Sequence, residues 1–378
     1  MEDSNQSCST NCKRQVNRGF FVLPHEMISE ILCRLPTESI LACRVVCKTW
    51  NEITQDPGFI NILRKSHYQP TRLILKPLPV NDFDSTPNDL VLVDMENHIT
   101  RRIPLERKFR ELQVTCSCNG FLCMAPQKKL DPVVIYNPIT RDRLILPPSN
   151  SKSVVLRQEV GLGFDPSTNN YKVVRAYSGL SCRRKVRRFE IISLGESSWR
   201  ELTAPQRIGT LDVWGVIFLS GALYWTMRKG TSTIIVQFDL SVENFRFVSF
   251  PRGFSSRHVS LGLIDIRGIV TLVQGDSSAV KFWRIRHGKG EDELSFLLQN
   301  YYDTHVKWGG GFSCAFVRQM DKESYLVQVG YNNSQNERRE HLSQYFPDQI
   351  QFLDLKLQGL PDNFRTLCFE PSLLPVPV

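Results

Sequence analysis

No stretch of this chain approaches the eighteen or more consecutive apolar residues that a membrane-spanning helix requires, so no membrane partner is expected. The opening MEDSNQSCSTNCKRQVNRG has no apolar core of the kind a secretory signal carries, and a location in the cytoplasm and/or nucleus is expected. Metal and catalytic spacings are equally scarce. The seven histidines, His25, His67, His98, His258, His287, His305 and His341, stand singly, with no His-x-His or His-Glu-x-x-His pair. There is no Gly-x-Ser-x-Gly elbow and no glycine-rich loop ending in Lys-Ser or Lys-Thr. Gly161-x-Gly163 lacks a third glycine and sits in strand-turn-strand surroundings, which reads as hairpin geometry. No catalytic residue, cofactor or metal is therefore expected.

Eleven cysteines run from Cys8 to Cys368 without a secretory signal before them, a pattern of reduced thiols rather than of a disulfide framework. Cys116, Cys118 and Cys123 lie close together, yet no second pair or histidine doublet completes a zinc set. Activation of a cysteine nucleophile needs a nearby base or a helix N-terminus, and no such constellation stands out. What is present is the composition of a folded protein: 378 residues, 41% hydrophobic and 22% charged, enough for a small module and one large domain. The net charge of +9 bears on solubility and encounter more than on fold.

The most informative stretch is LPHEMISEILCRLPTESILACRVVCKTWNEITQDPGF, from Leu23 to Phe59. Pro24 and Glu26 suit a first helical turn, and Ile28, Ile31, Leu32 and Leu35 recur at helical spacing until Pro36 stops the helix. Thr37 offers a new cap, and Ile40, Leu41 and Val45 resume the period up to Val46 and Cys47. A third helix carries Trp50 and Ile53 before Asp56-Pro57-Gly58 breaks the chain. About forty residues cannot enclose so many apolar side chains, so some of them are expected to be covered by another protein.

The order Leu23-Pro24, Ile28, Ile31-Leu32, Leu35-Pro36, Leu41, Val46, Lys48, Trp50, Pro57 and Phe59 resembles an F-box. The resemblance implies a helical module that docks onto the Skp-type adaptor, and through it a cullin, of an SCF-type ubiquitin ligase. Leu23, Pro24, Ile28, Ile31, Leu32, Leu35, Pro36, Leu41, Val46, Lys48 and Trp50 are then the adaptor-binding candidates. The bland alternative is a helical hairpin packed on the following domain.

From Thr71 onward helical spacing gives way to short runs of Val, Ile, Leu, Phe and Tyr separated by turns of Asn, Asp, Pro, Gly and Ser, which is all-β patterning. A strand-turn-strand unit recurs from Leu90, Val133, Arg188, Ile235, Val280 and Ile350. A second hairpin precedes each, from Thr71, Cys118, Val160, Gly215, Val259 and Gly311. Two hairpins per repeat make a four-stranded blade, so the expected fold is a small all-α module followed by a β-propeller-like domain of five to seven blades, with a β-sandwich as competitor. The segments SCNGFLCM, VVIYNPITRDRLILPP, GLGFDPSTNNYKVV and GALYW are similar to the F-box-associated domain of a large plant family related in layout to kelch propellers. Kelch blades usually carry a double glycine, and here only Gly309-Gly310-Gly311 offers one.

The expected boundaries are a disordered leader over 1–20, the F-box module over 21–66 and the propeller over 71–374. Trp199, Trp214, Trp225, Trp283 and Trp308 read as packing between blades, with Trp308 a candidate for binding the target. The polar loops 81–88, 289–293 and 332–341 are other places where a partner can be read. The basic run Arg183, Arg184, Lys185, Arg187 and Arg188 is either a localisation or phosphate-binding patch or a solvated connection, and no surface aromatics accompany it as a nucleic-acid platform needs. A non-catalytic receptor of a ubiquitin ligase is the function the resemblance implies, and an adaptor-free scaffold with a vestigial F-box is its rival.

Overall fold

The computed structural model describes residues 23–377 apart from 66–71, 79–88, 152, 182–183, 204–211, 230–231, 250–259, 276–278, 288–293, 304–312, 333–337 and 350. The chain divides into two compact units, Met1–Lys65 and Ser66–Val378.

In the first unit the apolar period produces four short helices, α1 (His25–Leu32), α2 (Thr37–Cys43), α3 (Lys48–Gln55) and α4 (Pro57–Lys65). Pro24 and Pro36 occupy the positions just before α1 and α2, so Thr37 is the first helical residue and not the cap. The helix around Ile40 ends at Cys43, which leaves Val45 and Val46 in the turn that follows. Asp56-Pro57-Gly58 opens α4 instead of ending the helical region. The Asp56 carboxylate accepts the Phe59 amide at 2.9 Å, and proline is suited to a first position whose amide would have no partner. Ile28, Leu32, Ile40, Ile53, Phe59, Ile60 and Leu63 are the buried apolar side chains of the described part of this unit.

The second unit is built of antiparallel sheets. Its first three strands are β1 (Arg72–Pro77), β2 (Leu90–Asp94) and β3 (Ile99–Ile103). Then follow β4 (Gln113–Cys118), β5 (Phe121–Ala125), β6 (Val134–Tyr136) and β7 (Arg143–Ile145) in the second blade, and β8 (Val154–Asp165), β9 (Asn170–Ser181), β10 (Arg184–Ser193) and β11 (Arg200–Leu202) in the third. The fourth holds β12 (Asp212–Leu219), β13 (Ala222–Lys229), β14 (Ser232–Asp239) and β15 (Asn244–Ser249). The fifth holds β16 (Ser260–Ile266), β17 (Ile269–Gly275), β18 (Ala279–His287) and β19 (Leu294–Asp303). The sixth holds β20 (Ser313–Gln319), β21 (Tyr325–Asn332), β22 (Arg338–Phe346) and β23 (Gln351–Asp354). The last strand, β24 (Phe364–Phe369), returns to pair with β1 from Arg72↔Phe369 to Pro77↔Phe364, which completes the first blade in the order β24-β1-β2-β3.

The described residues thus form a six-bladed β-propeller. The innermost strands β24, β4, β8, β12, β16 and β20 neighbour one another around the ring. Ring closure shifts the phase of the sequence repeat. The unit that starts at Ile350 is not a hairpin, since β23 and β24 belong to different blades, and the segment from Thr71 contributes one strand whose partner comes from the far end of the chain.

The apolar cores lie between blades, as alternating inward side chains of stacked sheets require. Cys116, Ile135, Val160, Phe189, Trp225 and Phe238 belong to one cluster that spans blades two to four. Smaller clusters join blades four and five, five and six, and six and one. Trp199 and Trp225 are buried in the large cluster and Trp283 packs against the one between blades four and five, whereas the Trp214 side chain and all of Trp308 lie outside the described residues.

Polar clasps fix neighbouring blades. Gly161 and Gly163 are not hairpin residues: a Cβ on Gly163 would stand 2.5 Å from Leu240 and 2.6 Å from Phe218, so the pair admits the fourth blade at close range. In the same motif Lys172 Nζ donates to the Leu240 carbonyl at 2.7 Å and contacts Asp165 at 3.0 Å and Glu243 at 3.2 Å, and Glu243 also takes Arg200 at 2.6 Å. Burial alone would raise the Asp165 carboxyl, but hydrogen bonds from Ser167, Lys172 and Thr168 hold it well below the usual carboxylate range. Beyond β24 the chain crosses to the second blade, where Asn137 Nδ2 donates to the carbonyls of Ser372 and Leu374, both at 2.9 Å, and Leu373 and Val376 are buried.

Three outcomes follow for stability. Lys172→Met strands a buried carboxylate and should cost about 3 kcal/mol in denaturant unfolding. Because the folded pKa of Asp165 is depressed, its contribution is complete above the unfolded value near 4 and is lost as pH falls through the folded one; Asp165→Asn should therefore be less stable at neutral pH and show a shallower loss below about pH 4. A chain ended after Glu370 loses the buried Leu373 and Val376 and leaves Asn137 without its Ser372 and Leu374 acceptors, so its unfolding free energy should fall by about 3 kcal/mol or more.

Candidate functional site

Helix α1 carries two apolar stripes where a surface helix normally needs one. Ile28 and Leu32, four residues apart, are buried in the unit's core. Met27 and Ile31, also four apart, are exposed, Met27 to 52%, and with Leu35 they line an open depression rimmed by Glu26, Glu30 and Arg34. Arg34 pairs with Glu30 at 2.8 Å along the helix, an exposed contact of little energetic weight.

The turn between α2 and α3 exposes a second apolar group. Val45 is 89% and Val46 62% exposed, although the Val45 amide donates to the Ala42 carbonyl at 3.4 Å and the Val46 amide to that of Cys43 at 3.1 Å. The turn is hydrogen-bonded, so its valines are presented by an ordered backbone. Lys48 follows at the first residue of α3, an exposed cation at the end of a helix where positive charge is unfavourable. It is available to an acidic group outside the helix.

The adaptor-binding candidates thus fall into three sets. Leu23, Pro24, Ile31, Pro36, Val46 and Lys48 are exposed; Leu35, Leu41 and Trp50 are half-buried; Ile28 and Leu32 are buried, where they can support a docking face but not form it. Met27 and Val45 are exposed apolar side chains that the motif did not single out. Met27 is four residues before Ile31 and could have been found from that spacing.

The propeller has two unlike faces. Among the described residues, turns joining the first to the second strand in blades two to six, and the third to the fourth strand in any blade, lie on one face. Several of them are tight: Asn119-Gly120, Ser220-Gly221 and Arg267-Gly268 each place both turn residues at positive φ, the geometry of two-residue hairpins. Others are stitched by side chains, as where Asp94 accepts the amides of Glu96 and Asn97, and Asp239 those of Ser241 and Val242. The strand ends that lead from the second to the third strand, and from blade to blade, lie on the opposite face. The strand ends flanking 79–88, 304–312 and 333–337 lie there, whereas those flanking 288–293 lie on the tight-turn face. Trp308, the loops 81–88 and 289–293, and residues 333–337 of the third loop are themselves outside the described residues.

Cys33, Cys43, Cys47, Cys116, Cys118, Cys123 and Cys368 are free thiols. Burial pushes Cys118 and Cys123 well above the ordinary thiol range, the reverse of nucleophile activation. Among the described residues no group of three or more His, Cys, Asp or Glu is placed to hold a metal ion, and no helix is long and apolar enough to cross a membrane.

Residues 20–61 match the F-box domain family, and residues 83–293 match the F-box associated beta propeller domain family. F-box protein At3g07870 of Arabidopsis thaliana is 23% identical to this chain over 95% of its length and 93% of the relative's. F-box protein At3g08750 of the same plant is 27% identical, with 69% of each chain covered. The F-box/LRR-repeat/kelch-repeat protein At2g27520, also of Arabidopsis thaliana, is 27% identical over 78% of this chain and 77% of its own. The second family match takes in more than half of a chain whose sheets close into a six-bladed ring, and the chain belongs to the plant F-box proteins in which an F-box domain precedes an F-box-associated β-propeller.

Proposed function

We propose that the chain is the substrate-recognition subunit of an SCF-type ubiquitin ligase. The helical unit docks through Met27, Ile31, Leu35, Pro36 and the Val45-Val46 turn onto a Skp-type adaptor and through it onto a cullin, in the cytoplasm or nucleus. The propeller holds the protein to be modified. The observation that carries this reading is the second apolar stripe of α1, exposed beside a stripe already buried. Each of these side chains gains about 1.5 to 3 kcal/mol when fully covered, enough for a few of them to make a stable contact.

The chain has no chemical step of its own in this scheme. Isopeptide transfer belongs to the other subunits, and the receptor contributes proximity, which replaces a bimolecular encounter by a nearly unimolecular one and is worth several kcal/mol. The long-connection face is the natural holder of the target, since recognition residues concentrate on loops that a rigid scaffold positions.

Replacing Leu35 and Pro36 together by alanine should abolish co-purification with the adaptor while the propeller stays folded. Ile31→Asp should weaken adaptor binding by at least about 10-fold with little change in melting, because the side chain is exposed in the free chain. Leu32→Asp, at a buried position of the same helix, should instead unfold the helical unit. Adaptor capture that survives both the double alanine and Ile31→Asp would refute the docking assignment.

A further inference from the structure

One buried thiol pair in the second blade differs from the inert cysteines around it. β4 and β5 form a hairpin in which Cys116 and Cys123 are direct cross-strand partners, two rungs from the pair Cys118↔Phe121 that flanks the turn. Both are buried on the side of the sheet that meets the third blade. Direct partners in an antiparallel pair have Cα atoms about 4.5 to 5.5 Å apart, inside the range of about 4.4 to 6.8 Å that a disulfide bridges. Cys118 stands diagonal to Cys123, at about 7 to 8 Å, and is out of reach without backbone movement.

The surroundings of the Cys116 sulfur set it apart. The Leu162 amide of β8 donates to Cys116 Sγ at 3.0 Å, and the Cys123 thiol donates to the same sulfur. The Arg365 guanidinium of β24 donates to the carbonyl of the adjacent Thr115 at 3.3 Å, which brings a cation close to the pair. A cysteine that only fills space needs no donors. Hydrogen-bond donors and a nearby cation are what favour a thiolate. Burial alone would raise the Cys116 thiol, but the donors from Cys123, Leu162 and Thr115 and the Arg365 charge hold it below the ordinary range, whereas burial pushes Cys123 well above it. One sulfur is thus prepared to attack and its partner keeps a proton. No local mark in the sequence shows this, because the donor and the cation come from β8 and β24.

We propose that Cys116 and Cys123 are a modification site, a pair that a peroxide converts reversibly into a disulfide at the interface of blades two and three. The Cys116 thiolate attacks one peroxide oxygen, the O–O bond breaks, and the departing hydroxide takes up the proton that the thiol had released and leaves as water. Cys116 is then a sulfenic acid. The Cys123 sulfur attacks the Cys116 sulfur, the S–O bond breaks, and the hydroxide leaves with the Cys123 proton as a second water. Two thiols lose two electrons and the peroxide gains them. Peroxide is small enough for a transient local opening to admit it to a packed interface. A disulfide sulfur accepts a hydrogen bond more weakly than a thiolate, so oxidation loosens the hold on the Leu162 amide and is felt where β4 meets β8. The inference is independent of the ligase reading.

The test uses the full chain, reduced, freed of reductant and exposed to hydrogen peroxide, with the remaining thiols blocked by iodoacetamide in denaturant. Trypsin releases residues 111–128 as one peptide that holds Cys116, Cys118 and Cys123. In the reduced chain all three should be blocked. After peroxide only Cys118 should be blocked, the peptide should lack the two hydrogens of a closed bridge, and dithiothreitol should restore the reduced pattern. Cys118→Ser should keep the bridge and Cys116→Ser should lose it, with unchanged melting as the check on folding. If Cys116→Ser is not folded, fragmentation of the peptide from the native chain shows which sulfurs are joined and decides alone. The chain oxidised in urea should give mixed pairings that include Cys118, since only the fold selects the partner. Full blocking of all three thiols in a sample whose exposed Cys47 has been oxidised would overturn the proposal. So would a bridge to Cys118, a sulfinic or sulfonic acid at Cys116 without a bridge, or the same pairing in urea as in the folded chain.

Discussion

A ring of sheets is only as closed as its seam, and here the seam is the pairing of β24 with β1. Each blade buries its faces against its neighbours, so a gap anywhere leaves two sheets half-wet. Taking the innermost strand of the first blade from the far end of the chain converts an open stack into a cycle. The same pairing brings Phe364 into the cluster with Leu326 and Leu342 of the sixth blade, so covalent order and spatial order meet at one place. The clasp of Asn137 on the chain beyond β24 then ties the first blade to the second.

On this closed frame the remaining interfaces need only local devices. Between blades three and four the devices are glycines that let backbones approach and a lysine whose three oxygen partners span the gap. Between blades two and three, Arg175 is fully buried, pairs with Asp131 at 3.0 Å and Glu190 at 3.4 Å, and stacks over Trp199 at 4.1 Å. These polar contacts sit inside otherwise apolar interfaces, where geometry has to be right for them to be tolerated. The helical unit shows the converse arrangement, with apolar groups on ordered backbone and no described side chain over them.

Much of this was legible in the residues. The helical period, the two prolines and the change of texture at Thr71 predict a small α module and a β-repeat domain, and the hairpin pairs predict blades of four strands. Three things were hidden for physical reasons. Ile28, Ile31, Leu32 and Leu35 read as one apolar face, and their spacing does not show that Ile28 and Leu32 turn inward while Ile31 stands exposed with Met27. Gly161 and Gly163 look like turn residues because a close approach by a distant blade leaves no local mark. Asp56-Pro57-Gly58 reads as a breaker, yet the same residues suit the start of a helix, and only the tertiary context of Phe59 and Ile60 decides between the two.

The register of the seam has a mechanical side. Arg72 and Phe369 are direct cross-strand partners at one end of the β1–β24 pair, so the chain enters and leaves the ring side by side. A pull that separates these two points loads the hydrogen bonds one after another, as a zipper opens, and not all together as in shear. The Asn137 clasp stands in series ahead of that zipper on the C-terminal side, which makes two amide hydrogen bonds the latch on a ring of twenty-four described strands.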